Sequence, residues 1–176
     1  MTADRAAAPA AARLHEWLLI GAIIVLDQAT KLLVLRSLAL HESVTVIPGL
    51  LNFTHVRNTG AAFGLLNTVD FPGKTTIIAL VALGALLVMA AYAAALPASQ
   101  RLARLGLALV LGGAAGNLVD RLRQGYVVDY VDFYWRGWHF WAFNVADGAI
   151  TAGVILVILD LLWPRGEAPA LDAGES

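Results

Sequence analysis

Four apolar runs, each long enough to cross a lipid bilayer, constrain this chain more than any other feature of its sequence. A helix that spans the hydrocarbon core needs about 20 predominantly apolar residues. The runs lie at about His15–Leu35, Thr75–Leu96, Leu102–Leu122 and Phe143–Trp163. The second run carries almost no polar stripe, whereas a helix of a soluble bundle would show one. The sequence therefore predicts four transmembrane helices.

The composition of the chain supports a membrane protein and excludes several kinds of site. Of 176 residues, 59% are hydrophobic and 14% are charged, and the mean hydropathy is +0.71. Soluble domains carry about 25% charged residues. A formal net charge of -1 with no basic tract argues against a nucleic-acid partner. The absence of cysteine from the sequence excludes disulfides and thiolate nucleophiles.

The connections between the apolar runs predict a small β-structure on one face of the membrane. Four spans place both ends of the chain on one side, so the long connections at about 37–74 and 124–142 share the other face. SVTVI at 43–47 and LLNFTHV at 50–56 flank Pro48-Gly49, and YVVDYVDF covers 126–133. β-rich stretches around such a dipeptide predict two strands joined by a turn.

The fold class expected from these patterns is an all-α integral membrane protein with four transmembrane helices and a small β-rich cradle and loop. A single membrane domain is expected over residues 14–164. The Ala/Pro-rich start, 1–13, and the end, 165–176, are expected to be disordered tails.

Polar residues inside the first and third runs have simple structural interpretations. Asp27 and Lys31 are four residues apart on one helix, which predicts a neutralising ion pair. In the third run, GxxxG at 112–116 permits close helix contact. Asp120 and Arg121 follow it, and a self-paired acid and base would account for them.

Two further aspartates each have a structural interpretation when taken alone, but together they suggest chemistry. In a strand, side chains alternate between faces, so Asp129 shares its face with Val127 and Val131, whereas Asp132 lies on the opposite face. An apolar setting raises the pKa of a carboxyl by desolvation. Asp147 begins the fourth span three residues after Asn144, where an acid also suits a helix N-terminus. Both Asp129 and Asp147 belong to the same end of the membrane.

The residues available for chemistry favour a pair of carboxylates. The four histidines are scattered, HExxH is absent from the sequence, and no serine lies in a nucleophile motif. Two close aspartates sharing one proton can activate water and protonate a leaving amine without a metal or cofactor. Two other functions stay open at this point. Intramembrane acids could relay protons in a transporter, or the chain could be a non-enzymatic assembly subunit that uses GxxxG as its contact.

Five motifs in order resemble lipoprotein signal peptidase, also called signal peptidase II. They are DQATK at 27–31, RNTGAAFG at 57–64, GNLVDRL at 116–122, GYVVDYVDF at 125–133 and FNVADGAI at 143–150. The resemblance implies an aspartic endopeptidase of the bacterial cytoplasmic (inner) membrane, with four helices and a β-cradle on the outer face, where the active site would open. It implies cleavage of the signal peptide of prolipoproteins just before a cysteine that carries diacylglycerol.

The resemblance also implies a role for individual residues. The catalytic pair falls on Asp129 and Asp147. Substrate- or inhibitor-binding positions fall on Asn58, Gly60, Asn117, Arg121 and Asn144, and supporting polar positions on Asp27, Lys31 and Asp120. Tyr130 stands where the family often has Phe after the first aspartate. The implied partners are prolipoproteins with diacylglyceryl-cysteine, membrane lipid and inhibitors of the globomycin type, without a metal, cofactor or nucleic acid. The glycine-containing segment 57–64 is expected to act as a mobile cover.

Overall fold

The four predicted spans are helices in the computed structural model, which describes residues 10–60 and 71–162. All four are long and apolar enough to cross a membrane. They are α1 (Ala10–Ser37), α2 (Lys74–Ala95), α3 (Arg101–Gln124) and α4 (Val145–Leu162). α1 begins earlier than the sequence analysis expects, inside the segment 1–13. The rest of that segment, the other tail from 163 onward and the end of the expected cover at 61–64 lie outside the described residues.

The β-rich connections form one antiparallel sheet, as predicted. Its strands are β1 (Ser43–Ile47), β2 (Leu51–Asn58), β3 (Val127–Trp135) and β4 (Trp138–His139), in the order β1-β2-β3-β4. The amide of Leu50 donates to the carbonyl of Ile47 across the Pro48-Gly49 turn. The short strand β4 was not predicted. It pairs with β3 through Arg136 and Gly137, a two-residue turn in which both residues have positive φ.

The helix α3 forms the centre of the bundle. It contains most of the buried helical residues, and it packs against α1, α2 and α4. The other three helices keep large apolar side chains exposed, among them Leu26 on α1, Val88 on α2 and Leu161 on α4. An apolar surface of this kind suits hydrocarbon rather than water. Many of the apolar residues of the sequence thus lie on surfaces that lipid can cover.

Close backbone approach ties α3 to two neighbours through its glycines. A Cβ atom at Gly106 would lie 2.6 Å from the carbonyl oxygen of Gly153 on α4. The predicted GxxxG pair faces α1 instead. A Cβ at Gly112 would meet Ile23 at 3.0 Å, and one at Gly116 would meet a carboxylate oxygen of Asp27 at 2.7 Å. The predicted close helix contact is confirmed, and its partner is α1.

Gly125 connects the membrane bundle to the sheet. It follows the last residue of α3 with φ 81°, and its amide donates to the carbonyl of Arg121 at 3.1 Å. This left-handed conformation ends many helices, and glycine adopts it without steric strain. The chain then turns directly into β3, so the strand that carries Asp129 begins at the end of α3.

A single methyl group at the α3–α4 crossing should destabilise the bundle. Gly106→Ala places a methyl against the carbonyl of Gly153, so we expect a loss of about 1–3 kcal/mol of stability. Gly84→Ala in α2 is the matched control, because its added methyl meets nothing within 4 Å. The control should unfold at or slightly above the wild-type temperature in a thermal melt in detergent, since alanine favours helix over glycine. Equal melting temperatures for the two variants would contradict the close contact.

Candidate active site

The N-terminus of α4 holds Asp147 through a reciprocal pair of hydrogen bonds. The amide of Asp147 donates to Asn144 Oδ1 at 3.0 Å, and the amide of Asn144 donates to Asp147 Oδ2 at 3.2 Å. This is the capping-box arrangement, in which two helix-end amides find side-chain acceptors. Asp147 is therefore a helix cap. Its second oxygen, however, accepts from the side-chain amide of Asn117 at 2.8 Å, so the carboxylate also belongs to a larger network.

Asp129 lies on β3 and is held by asparagine amides from two other elements. Asn144 Nδ2 donates to Asp129 Oδ1 at 2.6 Å, and Asn58 Nδ2 on β2 donates to Asp129 Oδ2 at 3.0 Å. Because Asn144 donates to Asp129 through its side chain and to Asp147 through its backbone, it joins the two acids. The structure thus brings Asp129 and Asp147 into hydrogen-bond contact with the same residue.

The surroundings of Asp129 favour its protonated form. The residue is 3% exposed. Burial and the nearby charge of Asp147 together raise the pKa of Asp129 to about 7, against the opposing effect of the hydrogen bonds from Asn58 and Asn144. Desolvation of this aspartate is predicted from the apolar face of its strand, and the direction agrees. A carboxyl in this range can exchange a proton near neutral pH.

A buried cluster of charges is connected to Asp147 through the side chain of Asn117. The Lys31 ammonium contacts Asp27 Oδ2 at 2.8 Å, Asp120 Oδ2 at 2.9 Å and Asn117 Oδ1 at 2.9 Å. The predicted pair between Asp27 and Lys31 therefore exists, with a second acid added. Asp120 is not paired with Arg121, so the simple interpretation of those two neighbours is wrong. Successive helix positions point about 100° apart, and α1 supplies a better-placed cation for Asp120.

Arg121 connects α3 to the end of β2. Its guanidinium donates to the carbonyl of Gly60 at 2.9 Å and to that of Asn117 at 3.3 Å. The amide of Gly60 in turn donates to Asn58 Oδ1 at 3.0 Å, which fixes the asparagine that binds Asp129. The structure thus brings every residue named by the resemblance into one connected set.

Burial alone does not separate Asp129 from Asp132, but their partners do. Asp132 is also buried, 7% exposed, on the opposite face of β3. It accepts from Asn52 Nδ2 at 3.3 Å and pairs with His139 Nδ1 at 2.9 Å. These contacts tie β2 and β4 to β3, so Asp132 stabilises the sheet away from Asp147.

Gln28, inside DQATK, has a structural role that the sequence motifs did not predict. Its Nε2 donates to Asp120 Oδ1 at 2.9 Å and to the carbonyl of Gly116 at 3.2 Å. Glutamine directly after an acid in an apolar run is the only available signal for this contact.

Within residues 10–60 and 71–162, no three His, Cys, Asp or Glu side chains are grouped to hold a metal ion.

Comparison with known proteins assigns this arrangement to a family. The family profile of signal peptidase (SPase) II matches residues 19–163. The chain belongs to the signal peptidase II family. The lipoprotein signal peptidase of Geobacter metallireducens is 46% identical over 79% of this chain and 85% of its own length. That of Burkholderia vietnamiensis is 44% identical over 88% of this chain and 92% of its own length.

Solved structures agree with the family assignment. A bacterial membrane enzyme determined by the in meso method at 2.3 Å resolution has a TM-score of 0.73 and 31% identity, covering 88% of this chain and 94% of that one. A second such enzyme, at 1.9 Å resolution, has a TM-score of 0.72 and 32% identity, covering 84% and 92%. This signal peptidase II family member is therefore a multi-pass membrane protease.

The raised pKa of Asp129 predicts a pH dependence of stability. The folded state binds this proton more tightly than the unfolded state, whose aspartates titrate near 3.9. The resulting stability is fully present below that value and is lost as the pH rises through about 7, at about 1.4 kcal/mol per unit of pKa difference. Asp129→Asn removes the titration. We expect the melting temperature of this variant, relative to that of the wild type, to increase as the pH rises from 5 to 8 in detergent.

The exposed acid Glu42 provides the control for that measurement. Glu42→Gln removes a carboxylate at the edge of the sheet. It should keep the wild-type fall in melting temperature with pH. Parallel curves for the wild type and Asp129→Asn would show that Asp129 titrates at an ordinary pKa.

Proposed function

We propose that this protein is an aspartic endopeptidase of the signal peptidase II type, with Asp129 and Asp147 as its catalytic pair. The observation that carries the proposal is the position of Asn144, which hydrogen-bonds Asp129 by its side chain and Asp147 by its backbone. Two carboxylates held this closely disfavour double ionisation. They therefore share one proton near neutral pH, which is the state that water-activating aspartate pairs require.

The reaction follows from one ionised and one protonated carboxyl. The ionised acid takes a proton from water as the water oxygen bonds to the scissile carbonyl carbon, and the protonated acid donates its proton to the carbonyl oxygen. When the carbon–nitrogen bond breaks, the leaving amine takes the proton gained from water. A hydroxyl of the tetrahedral intermediate returns a proton to the other acid. The pair is then restored without a metal or cofactor.

The substrates are prolipoproteins, from which the enzyme removes the signal peptide. We place the cleaved bond just before a cysteine that carries diacylglycerol, in accordance with the family. The polar amides around the pair suit an extended substrate backbone, while the apolar faces of the spans suit its acyl chains in the bilayer. Gly60 adds a backbone carbonyl and amide near the site, although both are used within the protein by Arg121 and Asn58.

The location of the reaction follows from the same assignment. The described long connections and the sheet share one membrane face with Asp129 and the start of α4. We assign this face to the outer side of the bacterial inner membrane. Inhibitors of the globomycin type are expected to bind against the aspartate pair. The polar network with a β-cradle favours this function over a proton-conducting protein or an assembly subunit.

Neutralising either catalytic acid should abolish cleavage. Asp129→Asn and Asp147→Asn keep the side-chain shape but cannot exchange the proton, so we expect each to lower kcat by about a thousandfold or more. The double variant should lose little beyond either single one, because the pair acts as a unit. The measurement is the gel shift of a lipid-modified prolipoprotein with purified enzyme in detergent.

Asp132→Asn is the matched control for this experiment. It removes a buried aspartate from the same strand, on the opposite face, and should keep most of the activity. Substantial turnover by either Asp129→Asn or Asp147→Asn would reject the assignment. Inhibition by EDTA that zinc reverses would instead indicate a metalloprotease.

The lipid on the substrate should contribute directly to recognition. Burial of an acyl chain provides about 0.8 kcal/mol per methylene. We therefore expect unmodified precursor to be cleaved with kcat/KM lower by at least about a hundredfold. The comparison uses the same precursor with and without diacylglycerol on its cysteine. Equal values of kcat/KM would remove the lipid from the recognition mechanism.

A further inference from the structure

Lys31 is a fully engaged cation in the interior of the bundle. The residue is 2% exposed. A lysine ammonium has three N–H donors and no acceptor, and here Asp27, Asp120 and Asn117 accept one contact each, at 2.8, 2.9 and 2.9 Å. These three contacts use all of its donors. Lys31 therefore has no donor left for a substrate.

The contact between Lys31 and Asn117 decides which way the side chain of Asn117 faces. Asn117 Oδ1 must face the ammonium, because Lys31 can only donate. Its Nδ2 is consequently directed at Asp147 Oδ1, at 2.8 Å. The reverse orientation would place the amide group against the ammonium and an oxygen against the carboxylate. Lys31 thus sets the donor that Asp147 receives.

The other two contacts extend to the backbone beside each catalytic acid. Asp27, paired to Lys31 by one oxygen, accepts the amide of Ala146 with the other at 3.0 Å. Asp120 accepts the amide of Val128 at 3.2 Å. Ala146 precedes Asp147 and Val128 precedes Asp129 in the chain. One buried lysine is therefore joined to the positions of both acids.

The charges around the two acids are not equivalent. Facing Asp147 are Lys31 and Asp27 from α1, Arg121 from α3 and Asp129 from β3, and the charges of Lys31 and Arg121 act on Asp129 as well. The Lys31 charge reaches Asp147 through one amide, and the positive end of α4 adds to it, since Asp147 lies in the first turn. Asp129 lies on a strand, without a helix N-terminus of its own. Ionisation is thus favoured at Asp147.

We propose that Lys31 is a positioning residue that, through Asn117 and the first turn of α4, holds Asp147 as the ionised, water-activating carboxylate and leaves the shared proton on Asp129. The inference rests on the proposed aspartate pair and assigns a different role to each member. Asp147 takes the proton of the attacking water and passes it to the leaving amine. Asp129 donates its proton to the carbonyl oxygen and recovers one from the tetrahedral intermediate.

The pH profile of cleavage tests this role. Lys31→Met removes the charge and keeps the approximate volume. We expect the acid limb of kcat/KM against pH to rise by about one unit or more, and to rise further than the alkaline limb. Lys31→Arg keeps the charge, so it should retain the limb near its wild-type position even where kcat falls. Limbs that stay in place in Lys31→Met, or an alkaline limb that moves further, would overturn the proposal.

Lys74 supplies a matched control for the loss of a buried lysine. It is 5% exposed and bonds Thr59 Oγ1 at 3.3 Å, in α2 and not in the charge cluster. Lys74→Met should leave both limbs in place. A shift of the acid limb in this variant equal to that of Lys31→Met would show a general effect of removing a buried cation, and would overturn the specific role of Lys31.

A second measurement remains decisive if Lys31→Met fails to fold. Infrared spectra near pH 6 of enzyme that retains Lys31 report the carbonyl stretch of a protonated carboxyl. We expect this band to persist in Asp147→Asn and to be lost in Asp129→Asn, because Asp129 holds the proton. The reverse result would overturn the assignment.

The same variants separate failure of this inference from failure of the proposed function. If both aspartate variants are inactive and the infrared assignment is reversed, the pair is catalytic but the roles are exchanged. If either aspartate variant retains turnover, the pair itself is not the catalytic machinery.

Discussion

An asparagine side chain has a donor end and an acceptor end, and three asparagines in this protein are each fixed in one orientation by a partner that can only donate. The backbone amide of Gly60 fixes Asn58, the ammonium of Lys31 fixes Asn117, and the backbone amide of Asp147 fixes Asn144. Each asparagine consequently directs its amide group at a carboxylate. Carboxylates in a membrane protein need such donors, because an unpaired charge there is expensive. The amides therefore allow Asp129 to remain buried, and Asp147 half-buried, within one network.

Much of this arrangement can be read from the sequence, because the elements that carry it are governed by local patterns. The four spans follow from apolar length. Strands β1 and β2 follow from the β-rich stretches on either side of a Pro-Gly turn, and β3 follows from the β-rich stretch at 126–133. Alternation along β3 separates Asp129 from Asp132 correctly. Their contacts confirm the separation, since Asp132 bonds His139 and Asn52 while Asp129 bonds two asparagines of the site.

Other features depend on three-dimensional neighbours that no local pattern specifies. The pairing of Asp120 with Lys31 joins residues on different helices. Adjacency in sequence suggested Arg121 instead, because the direction in which a helical residue points is clear only when the neighbouring helix is placed. Strand β4 is short and its turn begins with arginine, a residue without a strong preference for positive φ. The contact of Gln28 with Asp120 likewise needs the α1–α3 crossing.

The close approach of α3 and α4 at Gly106 and Gly153 is repeated nearer the site, where Gly113 meets the carbonyl of Ala146. Two contacts about seven residues apart along a helix are separated by roughly 10 Å. Contact at two separated points restricts rotation of α4 relative to α3. Asp147, one residue beyond Ala146, is therefore positioned in part by close packing of α4 against the glycines of α3. Any widening that admits a prolipoprotein must accordingly come from displacement of parts other than these two helices.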